Sequence, residues 1–215
     1  MFSVSEVAVI LSVFVSVRTS DITKSVFGPL TDGMPAAFGD FNSDELTDIF
    51  VLRDNSTTVE IFLSAEEEPL LRTSKSKPLK CTFSKNFLVT SVVPGDFDGD
   101  ALMDVMVTAI NKERNEEGAG SQTLVYILWG GATNLTCMNE SQPLVVLKGQ
   151  PLAIDYNQDM IIDLFGSDVE GQRCFFIFGK DRGQQQKIPM KYPEHKHVAL
   201  KRPHSHAFLG KKTTI

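Results

Sequence analysis

Residues 96–104 have the sequence Asp-Phe-Asp-Gly-Asp-Ala-Leu-Met-Asp, in which acidic residues occupy positions 1, 3, 5 and 9. The same pattern, Asp-x-Asx-x-Asp-x-x-x-Asp, occurs as Asp-Phe-Asn-Ser-Asp-Glu-Leu-Thr-Asp at 40–48 and as Asp-Tyr-Asn-Gln-Asp-Met-Ile-Ile-Asp at 155–163. The three copies begin at residues 40, 96 and 155 and are thus nearly evenly spaced. Even spacing of similar segments is the sequence signature of a repeat architecture. We name the copies loop 1 (40–48), loop 2 (96–104) and loop 3 (155–163), and expect one structural unit around each.

The side chains at positions 1, 3, 5 and 9 predict a metal site in each loop. Ten of the fifteen Asp residues lie in these loops, which contain no Lys or Arg. Carboxylates this close repel one another unless a cation lies between them, and Ca²⁺ is the hard cation that oxygen ligands of a tightly curled loop select. We predict up to three Ca²⁺ ions, with these side-chain ligands: Asp40, Asn42, Asp44, Asp48, Asp96, Asp98, Asp100, Asp104, Asp155, Asn157, Asp159 and Asp163. The alternative is three exposed acidic turns that solvent alone screens.

The residues in and around the loops exclude EF-hands and predict strands. An EF-hand loop needs Gly at position 6 and lies between two helices, whereas position 6 here is Glu45, Ala101 or Met160. Each final Asp is followed directly by a short apolar run, which is typical of a buried strand. These runs are 49–52, 105–108 and 164–165.

The order strand, acidic loop, strand, turn, strand recurs three times and predicts an all-β fold. We place the units at residues 21–79, 80–142 and 143–190, with polar connectors at 64–80 and 130–142 that are too polar to belong to a core. Residues 191–215 are interpreted as a connector and the truncated start of a fourth unit.

These motifs resemble a known family. The order apolar-Phe-Gly or apolar-Pro-Gly, then Asp-aromatic-Asx-x-Asp, then Asp-apolar-apolar is similar to the FG-GAP repeats of integrin α-subunit propellers. The segments 36–40, 90–96 and 203–208 also resemble the amino-terminal third of integrin-α FG-GAP repeat-containing membrane proteins. The resemblance implies a partial β-propeller, with three antiparallel FG-GAP-type blades plus the start of a fourth, each with a calcium-binding loop between strands.

The resemblance also implies roles for positions 6 and 7. The backbone carbonyls of Leu46, Leu102 and Ile161, at position 7, would join the side chains as calcium ligands. Position 6 is usually Gly in that family, so its absence from all three loops implies weaker or more strained sites. Loop 2, with four Asp residues and Gly99, is expected to bind Ca²⁺ best. Extracellular modules bind Ca²⁺ with dissociation constants of about 10⁻⁴ to 10⁻³ M, which fits a stabilising role.

Two further patterns predict the secretory pathway and an extracellular or secreted location. Residues 1–20 are predicted to be a signal peptide, because 7–17 form an apolar run too short to cross a bilayer. Three sequons predict glycosylation of Asn55, Asn134 and Asn139 in turns or connectors. The sequence has no apolar stretch of membrane-spanning length, although the resemblance implies that full-length relatives are single-pass membrane proteins.

Cysteine and histidine contribute less to the prediction. Cys81, Cys137 and Cys174 are odd in number, so at least one thiol is unpaired within the chain. Cys174 opens an apolar strand and is expected to be a buried small hydrophobe, while a disulfide between the other two is an open alternative. The four histidines are interpreted as part of a connector, because no further ligands complete a zinc site. They are His195, His197, His204 and His206.

Two classes of function remain, a recognition module and an enzyme. The sequence has no nucleophile-elbow, phosphate-loop or dinucleotide-binding motif, so we predict that it is not an enzyme. The alternative is a calcium-dependent extracellular hydrolase, which would need an open coordination position and a general base. The resemblance implies a modulator of T-cell function that contacts a cell-surface protein. No nucleic-acid partner is expected, because the basic residues near 196–212 lack a basic helix or an aromatic platform.

Overall fold

The computed structural model describes residues 21, 23–27, 32–68, 70–74, 79–113, 122–182 and 184–190. The predicted signal peptide (1–20) and the segment 191–215, with its four histidines and the start of a fourth unit, lie outside the described residues. Within them, one five-residue helix, α1 (Thr23–Phe27), precedes fourteen strands. The prediction of an all-β fold is confirmed.

The strands form three antiparallel sheets that follow one another along the chain. Sheet 1 contains β1 (Met34–Gly39), β2 (Asp48–Arg53), β3 (Thr58–Ser64), β4 (Leu71–Arg72) and β5 (Lys80–Thr82). Sheet 2 contains β6 (Phe87–Gly95), β7 (Asp104–Asn111), β8 (Gln122–Gly131), β9 (Asn134–Thr136) and β10 (Val145–Lys148). Sheet 3 contains β11 (Leu152–Ile154), β12 (Asp163–Ser167), β13 (Arg173–Phe178) and β14 (Gln185–Pro189).

Each acidic loop closes a hairpin between the first two strands of its sheet. In each sheet the residue before position 1 is paired with the Asp at position 9 on the neighbouring strand. The two ends of every loop are therefore held side by side. The three pairs are Gly39 with Asp48, Gly95 with Asp104, and Ile154 with Asp163. The third strand then pairs with the second in the same antiparallel sense in every sheet. The loops are therefore held in equivalent positions by equivalent backbone pairing.

The sheets extend beyond the three-strand units expected from the sequence. β5 pairs with β3 and β10 pairs with β8, so sheets 1 and 2 each take an outer strand from beyond residues 79 and 142. The connectors also supply core residues, which differs from the expectation: Leu79 and Leu135 are only 2% and 6% exposed. One large apolar side chain is enough to anchor a connector whose average composition is polar.

The three sheets stack face to face around two cores, with sheet 2 in the middle. Alternate residues of a strand point to opposite faces, and in β7 the side chains of Val105 and Val107 enter the core shared with sheet 1. The side chain of Met106 enters the core shared with sheet 3. We name these core 1 and core 2. Burial of both faces explains why the middle strands are continuously apolar instead of alternating.

A disulfide joins sheet 1 to sheet 2. It links Cys81 in β5 to Cys137 just after β9, with a Cα–Cα distance of 5.5 Å and a sequence separation of 56. Closing a loop of this length stabilises the fold by about 4 kcal/mol on chain-entropy grounds. The third cysteine, Cys174, is free and fully buried in core 2, as expected. The open alternative from the sequence is therefore resolved in favour of the disulfide.

Candidate metal centres

The three acidic loops share one backbone conformation. Positions 4 and 6 of each loop have positive φ, in the left-handed region that Cβ disfavours. These residues are Ser43 (59°), Glu45 (68°), Gly99 (75°), Ala101 (63°), Gln158 (65°) and Met160 (70°). Only Gly99 is a glycine, and each other residue costs about 1 kcal/mol in this conformation. The absence of glycine from position 6 therefore does produce local strain.

The carboxylate at position 1 holds this curl in place. In every loop one of its oxygens accepts the N–H of position 6, and the other accepts an N–H from position 3, 4 or 5. The position 6 donors lie at 2.9 Å from Asp40, 2.9 Å from Asp96 and 3.1 Å from Asp155. The remaining bonds include those from Asp44, Gly99 and Gln158, at 3.0, 2.6 and 2.7 Å. Charge-assisted hydrogen bonds of this kind offset the cost of the left-handed residues.

The carboxylate at position 9 ties each loop to the third strand of its sheet. Asp48, Asp104 and Asp163 are all fully buried. One oxygen accepts the N–H of position 2, from Phe41, Phe97 or Tyr156 at 2.8, 3.0 and 3.0 Å. The other accepts an N–H at the end of the third strand, from Ser64, Gly130 or Phe178 at 2.8, 2.8 and 2.9 Å. The sequence predicted these residues to be calcium ligands but did not reveal this structural role.

Burial perturbs the acidity of these three groups in the same direction. Removal from water raises the pKa of the Asp48 and Asp163 carboxyls above the ordinary value, and the backbone hydrogen bonds only partly oppose it. Burial likewise raises the pKa of Asp104 to about 6, with a smaller contribution from the negative charges of Asp98 and Asp100. Each position 9 carboxylate is thus a buried negative charge that a nearby cation would stabilise.

Positions 3 and 5 distinguish loop 2 from the other two loops. In loops 1 and 3 the amide at position 3 donates to the carboxylate at position 5, from Asn42 to Asp44 at 2.9 Å and from Asn157 to Asp159 at 2.8 Å. In loop 2 position 3 is Asp98, whose carboxylate side chain has no N–H to donate to position 5.

Arg182, from the turn between β13 and β14, supplies the missing donor in loop 2. Its Nε donates to Asp98, and its Nη2 donates to Asp100 at 3.0 Å. The hydrogen bond to Asp98 raises the pKa of the arginine further above its usual value. Sheet 3 thus contributes a cation to a loop of sheet 2.

The predicted ligands converge to different degrees. In loop 2, oxygens of Asp96, Asp98 and Asp104 all lie within 4.8 Å of one another, and no other trio of acidic, His or Cys side chains in the described part of the chain does so. Asp100 is outside this group, and its carboxylate forms an ion pair with Arg182.

In every loop the position 5 carboxylate also accepts the N–H of the position 7 residue. These donors are Leu46, Leu102 and Ile161, at 2.9, 2.8 and 2.9 Å.

The donor set fits a hard divalent cation. All side-chain donors at positions 1, 3, 5 and 9 are carboxylate or amide oxygens, which Ca²⁺ prefers to nitrogen or sulfur. In loop 1 the Oδ1 atom of Asn42 is buried and has no hydrogen-bond partner. Buried polar atoms in folded proteins are rarely left without a partner, and a cation at this oxygen would satisfy it.

Neighbouring loops are locked together by the residue at position 8. A Cβ on Gly39 would lie 2.9 Å from the Sδ atom of Met103, the position 8 residue of loop 2. A Cβ on Gly95 would collide in the same way with Ile162, the position 8 residue of loop 3. The N–H of Ile162 also donates to the carbonyl of Asp96 at 2.9 Å. Glycine precedes loops 1 and 2 because the next loop packs directly against that backbone.

The three predicted glycosylation sites lie on the surface. Asn55 is exposed in the turn between β2 and β3, and Asn134 and Asn139 are exposed at and after the start of β9. The described residues contain no helix of sufficient length and apolarity to cross a membrane.

Comparison with known proteins adds a family context. Residues 40–107, which span loops 1 and 2, match the FG-GAP-like repeat family. The chain is 36% identical over 193 residues to the T-cell immunomodulatory protein of Rattus norvegicus. It is 34% identical over 189 residues to that of Mus musculus and 34% identical over 194 residues to that of Homo sapiens. Each match covers 88% of this chain, which spans 29% of the length of these curated relatives.

Proposed function

We propose, on the premise that this chain is an FG-GAP repeat protein related to the T-cell immunomodulatory proteins, that it is a calcium-stabilised recognition module of the extracellular space. The single observation that carries the calcium proposal is the fully buried carboxylate at position 9 of every loop, in a loop whose side chains at positions 1, 3 and 5 offer only carboxylate or amide groups. The position 9 carboxylates of loops 1 and 3, Asp48 and Asp163, have no ion pair with a Lys or Arg in the described part of the chain. Such buried charges are costly unless an ion from solution balances them.

In this proposal each loop holds one Ca²⁺ through positions 1, 3, 5 and 9, with the position 7 carbonyl as a further ligand. The ion supplies positive charge and oxygen coordination, and it supplies no reaction chemistry. The protein contributes the curl that gathers the ligands, fixed by the N–H bonds to positions 1 and 9. Free Ca²⁺ at ten times the dissociation constant would add about 1.4 kcal/mol of stability per site.

We further propose that the three sheets are successive blades of a β-propeller. Equivalent residues face equivalent neighbours: the residue two places after position 9 enters the core shared with the following sheet, as Phe50 does in core 1 and Met106 in core 2. The residue one place after position 9 enters the core shared with the preceding sheet, as Val105 and Leu164 do. A constant relation between neighbouring sheets is what radial repetition of blades requires.

The recognition role rests on the family context. The matched relatives are named as immunomodulatory proteins and not as enzymes, and no described feature favours the calcium-dependent hydrolase as a second candidate. The proposed partner is a cell-surface protein on T cells, and the proposed contacts are the connections between strands, where a rigid β-scaffold usually carries its binding residues. Glycosylation of Asn55, Asn134 and Asn139 belongs to the same proposal, and removal of N-glycans from secreted protein should shift its mobility in up to three steps.

The test is a calcium titration of metal-free protein, followed by calorimetry and thermal melting. We expect up to three bound ions and a rise in melting temperature, with a smaller response to Mg²⁺, which requires stricter octahedral geometry. Asp44→Asn and Asp159→Asn should each weaken Ca²⁺ binding at one loop. Asp21 is an exposed acidic residue outside the loops, so Asp21→Asn should leave Ca²⁺ binding unchanged. Binding of fluorescent protein to T cells, with and without a chelator, tests the recognition role. Absence of ion uptake by folded protein would refute the calcium proposal.

A further inference from the structure

Loop 2 contains an internal cation that the other two loops lack. The guanidinium of Arg182 bridges Asp98 and Asp100, residues that lie 84 and 82 positions earlier in the chain. The same guanidinium lies over the ring of Trp129, 5.1 Å from its centroid. The Asp98 side chain is only 4% exposed, so this ion pair is shielded from solvent on the carboxylate side. Screening by salt is weak for a contact of this kind.

The arginine equalises the charge of the three loops. Loops 1 and 3 each present three carboxylates at the predicted ligand positions, because position 3 is Asn, whereas loop 2 presents four. The single positive charge of Arg182 brings the ligand set of loop 2 to the same net value of three negative charges. Without it, loop 2 would hold one more uncompensated carboxylate than its neighbours.

The arginine also replaces a specific hydrogen bond. In loops 1 and 3 the position 5 carboxylate is held by the neutral amide at position 3, which can rotate away at little cost. In loop 2 the equivalent carboxylate, on Asp100, is held by Arg182 at 3.0 Å. Release of this contact breaks a charge-assisted hydrogen bond, which is stronger than a neutral hydrogen bond.

We propose that Arg182 is a tethered cation that competes with Ca²⁺ for the carboxylates of loop 2. This inference rests on the proposed calcium function and concerns the regulation of one of its sites. A divalent ion among these carboxylates and a guanidinium on two of them repel each other at short range, so the arginine weakens the site about tenfold. The affinity advantage expected from four carboxylates is thereby cancelled, and loop 2 binds no more tightly than loops 1 and 3.

The competition also couples the metal to the contact between sheets 2 and 3. Asp98 and Asp100 belong to the loop of sheet 2, and Arg182 lies in the turn between β13 and β14 of sheet 3. Ca²⁺ entering loop 2 therefore removes an ion pair between the two sheets while it stabilises the loop itself. Loops 1 and 3 have no such exchange among the residues that the structure describes, because their position 5 partner lies within the same loop.

The test is Arg182→Gln in the full chain, with the affinity of loop 2 measured separately from the others. Trp129 is the single tryptophan of the sequence, and it lies beside the arginine at loop 2. Tryptophan-sensitised terbium luminescence, with displacement of Tb³⁺ by Ca²⁺, therefore reports this loop. We expect Arg182→Gln to tighten Ca²⁺ binding there about tenfold and to lower the melting temperature in metal-free buffer. Arg182→Lys should tighten it less, because the charge is retained.

Two matched variants complete the experiment. Lys180→Gln makes the same charge change in the same turn, at a residue without an ion pair in the described part of the chain, and should change affinity less than about threefold. Asn42→Asp gives loop 1 the four carboxylates of loop 2 with no arginine, and calorimetry should show one tightened site. Unchanged or weaker binding at loop 2 in Arg182→Gln, with Ca²⁺ still bound by loops 1 and 3, would overturn this inference alone. Absence of Ca²⁺ binding in the unmodified chain and in every variant would refute the proposed function as well.

Discussion

Loops 1 and 2 have the same backbone conformation but different numbers of acidic residues at the predicted ligand positions. Both place positive φ angles at positions 4 and 6, and both bury the position 9 carboxylate against two backbone N–H groups. They differ at position 3, where loop 1 has Asn42 and loop 2 has Asp98. Loop 1 needs no outside partner for its position 5 carboxylate, whereas loop 2 takes Arg182 from another sheet.

The comparison separates two kinds of acidic residue within one motif. At positions 1 and 9 both carboxylate oxygens accept backbone N–H groups in every loop, so these residues shape the chain. At position 5 one oxygen accepts a backbone N–H, from position 7. Positions 3 and 5 interact with each other or with Arg182, so their arrangement varies while the backbone stays the same. A motif that looks uniform in sequence thus contains a constant frame and a variable pair, and three predictions test that division.

The largest effect is expected at position 9. Asp104→Ala leaves the buried N–H groups of Phe97 and Gly130 without acceptors, and each costs about 1 to 3 kcal/mol. We expect a loss of about 4 kcal/mol in the free energy of unfolding, measured by urea denaturation of metal-free protein at pH 5. At that pH the carboxyl is largely protonated, because its pKa is about 6, so relief of a buried charge does not mask the effect.

Equivalent changes in the other loops provide the control for this prediction. Asp48→Ala and Asp163→Ala should cost a similar amount, because both residues accept the same two kinds of N–H. Asp44→Ala, at the exposed position 5, should cost about 1 kcal/mol or less. If Asp104→Ala lowers the free energy of unfolding far less than Asp48→Ala and Asp163→Ala do, the idea of a constant frame is contradicted.

A smaller effect is expected in the pH dependence of metal-free protein. Burial raises the pKa of Asp104 from 3.8 to about 6, so the folded state binds this proton more tightly than the unfolded state. The corresponding stabilisation is present below pH 4 and is lost as the pH rises through 6, by about 3 kcal/mol in total. Saturating Ca²⁺ should remove this dependence, because the ion favours the charged carboxylate.

Asp104→Asn isolates this contribution from the other titrating groups. The difference in unfolding free energy between the unmodified chain and this variant should change between pH 4 and pH 7, while the difference for Asp21→Asn, outside the loops, should not follow that course. Burial also raises the pKa of the position 9 carboxyls of loops 1 and 3. A difference that stays flat with pH would mean that the buried carboxyl titrates normally.

The smallest effect is expected at position 6. Ala101→Gly removes a Cβ from a residue with φ of 63°, and Met160→Gly does the same in loop 3 at 70°. Each should raise the unfolding free energy by about 1 kcal/mol, since glycine adopts the left-handed region without steric cost. The reverse change, Gly99→Ala, should destabilise the protein, because the new Cβ would also lie 2.9 Å from the Ile161 side chain. Thermal melting should show a higher melting temperature for the two glycine variants and a lower one for Gly99→Ala.

Local pattern predicted the loops, their flanking strands and the all-β class. It did so because the acidic register, the turn residues and the short apolar runs are all properties of fewer than about ten consecutive residues. The burial of Cys174 was also predictable from the apolar strand around it. The resemblance to FG-GAP repeats followed from the same short segments and is confirmed by the family match over residues 40–107.

Other features depend on residues that are far apart in the chain and could not be predicted in this way. The outer strands β5 and β10 pair across the unit boundaries, and the disulfide spans 56 residues. Arg182 gave no signal in the sequence, because it stands in an ordinary polar turn 78 or more positions beyond the loop that it reaches. The glycines before loops 1 and 2 were visible as a motif, but their cause, the side chain at position 8 of the next loop, was not.

The sequence alone determined that three acidic nine-residue turns would each join two strands, because turn chemistry and strand periodicity act between near neighbours along the chain. The tertiary structure decided which acidic side chains face inward, which meet one another, and which meet an arginine from the adjacent sheet. Burial and charge pairing depend on what lies across an interface, and stacking of the sheets brings those partners together only after each sheet has formed.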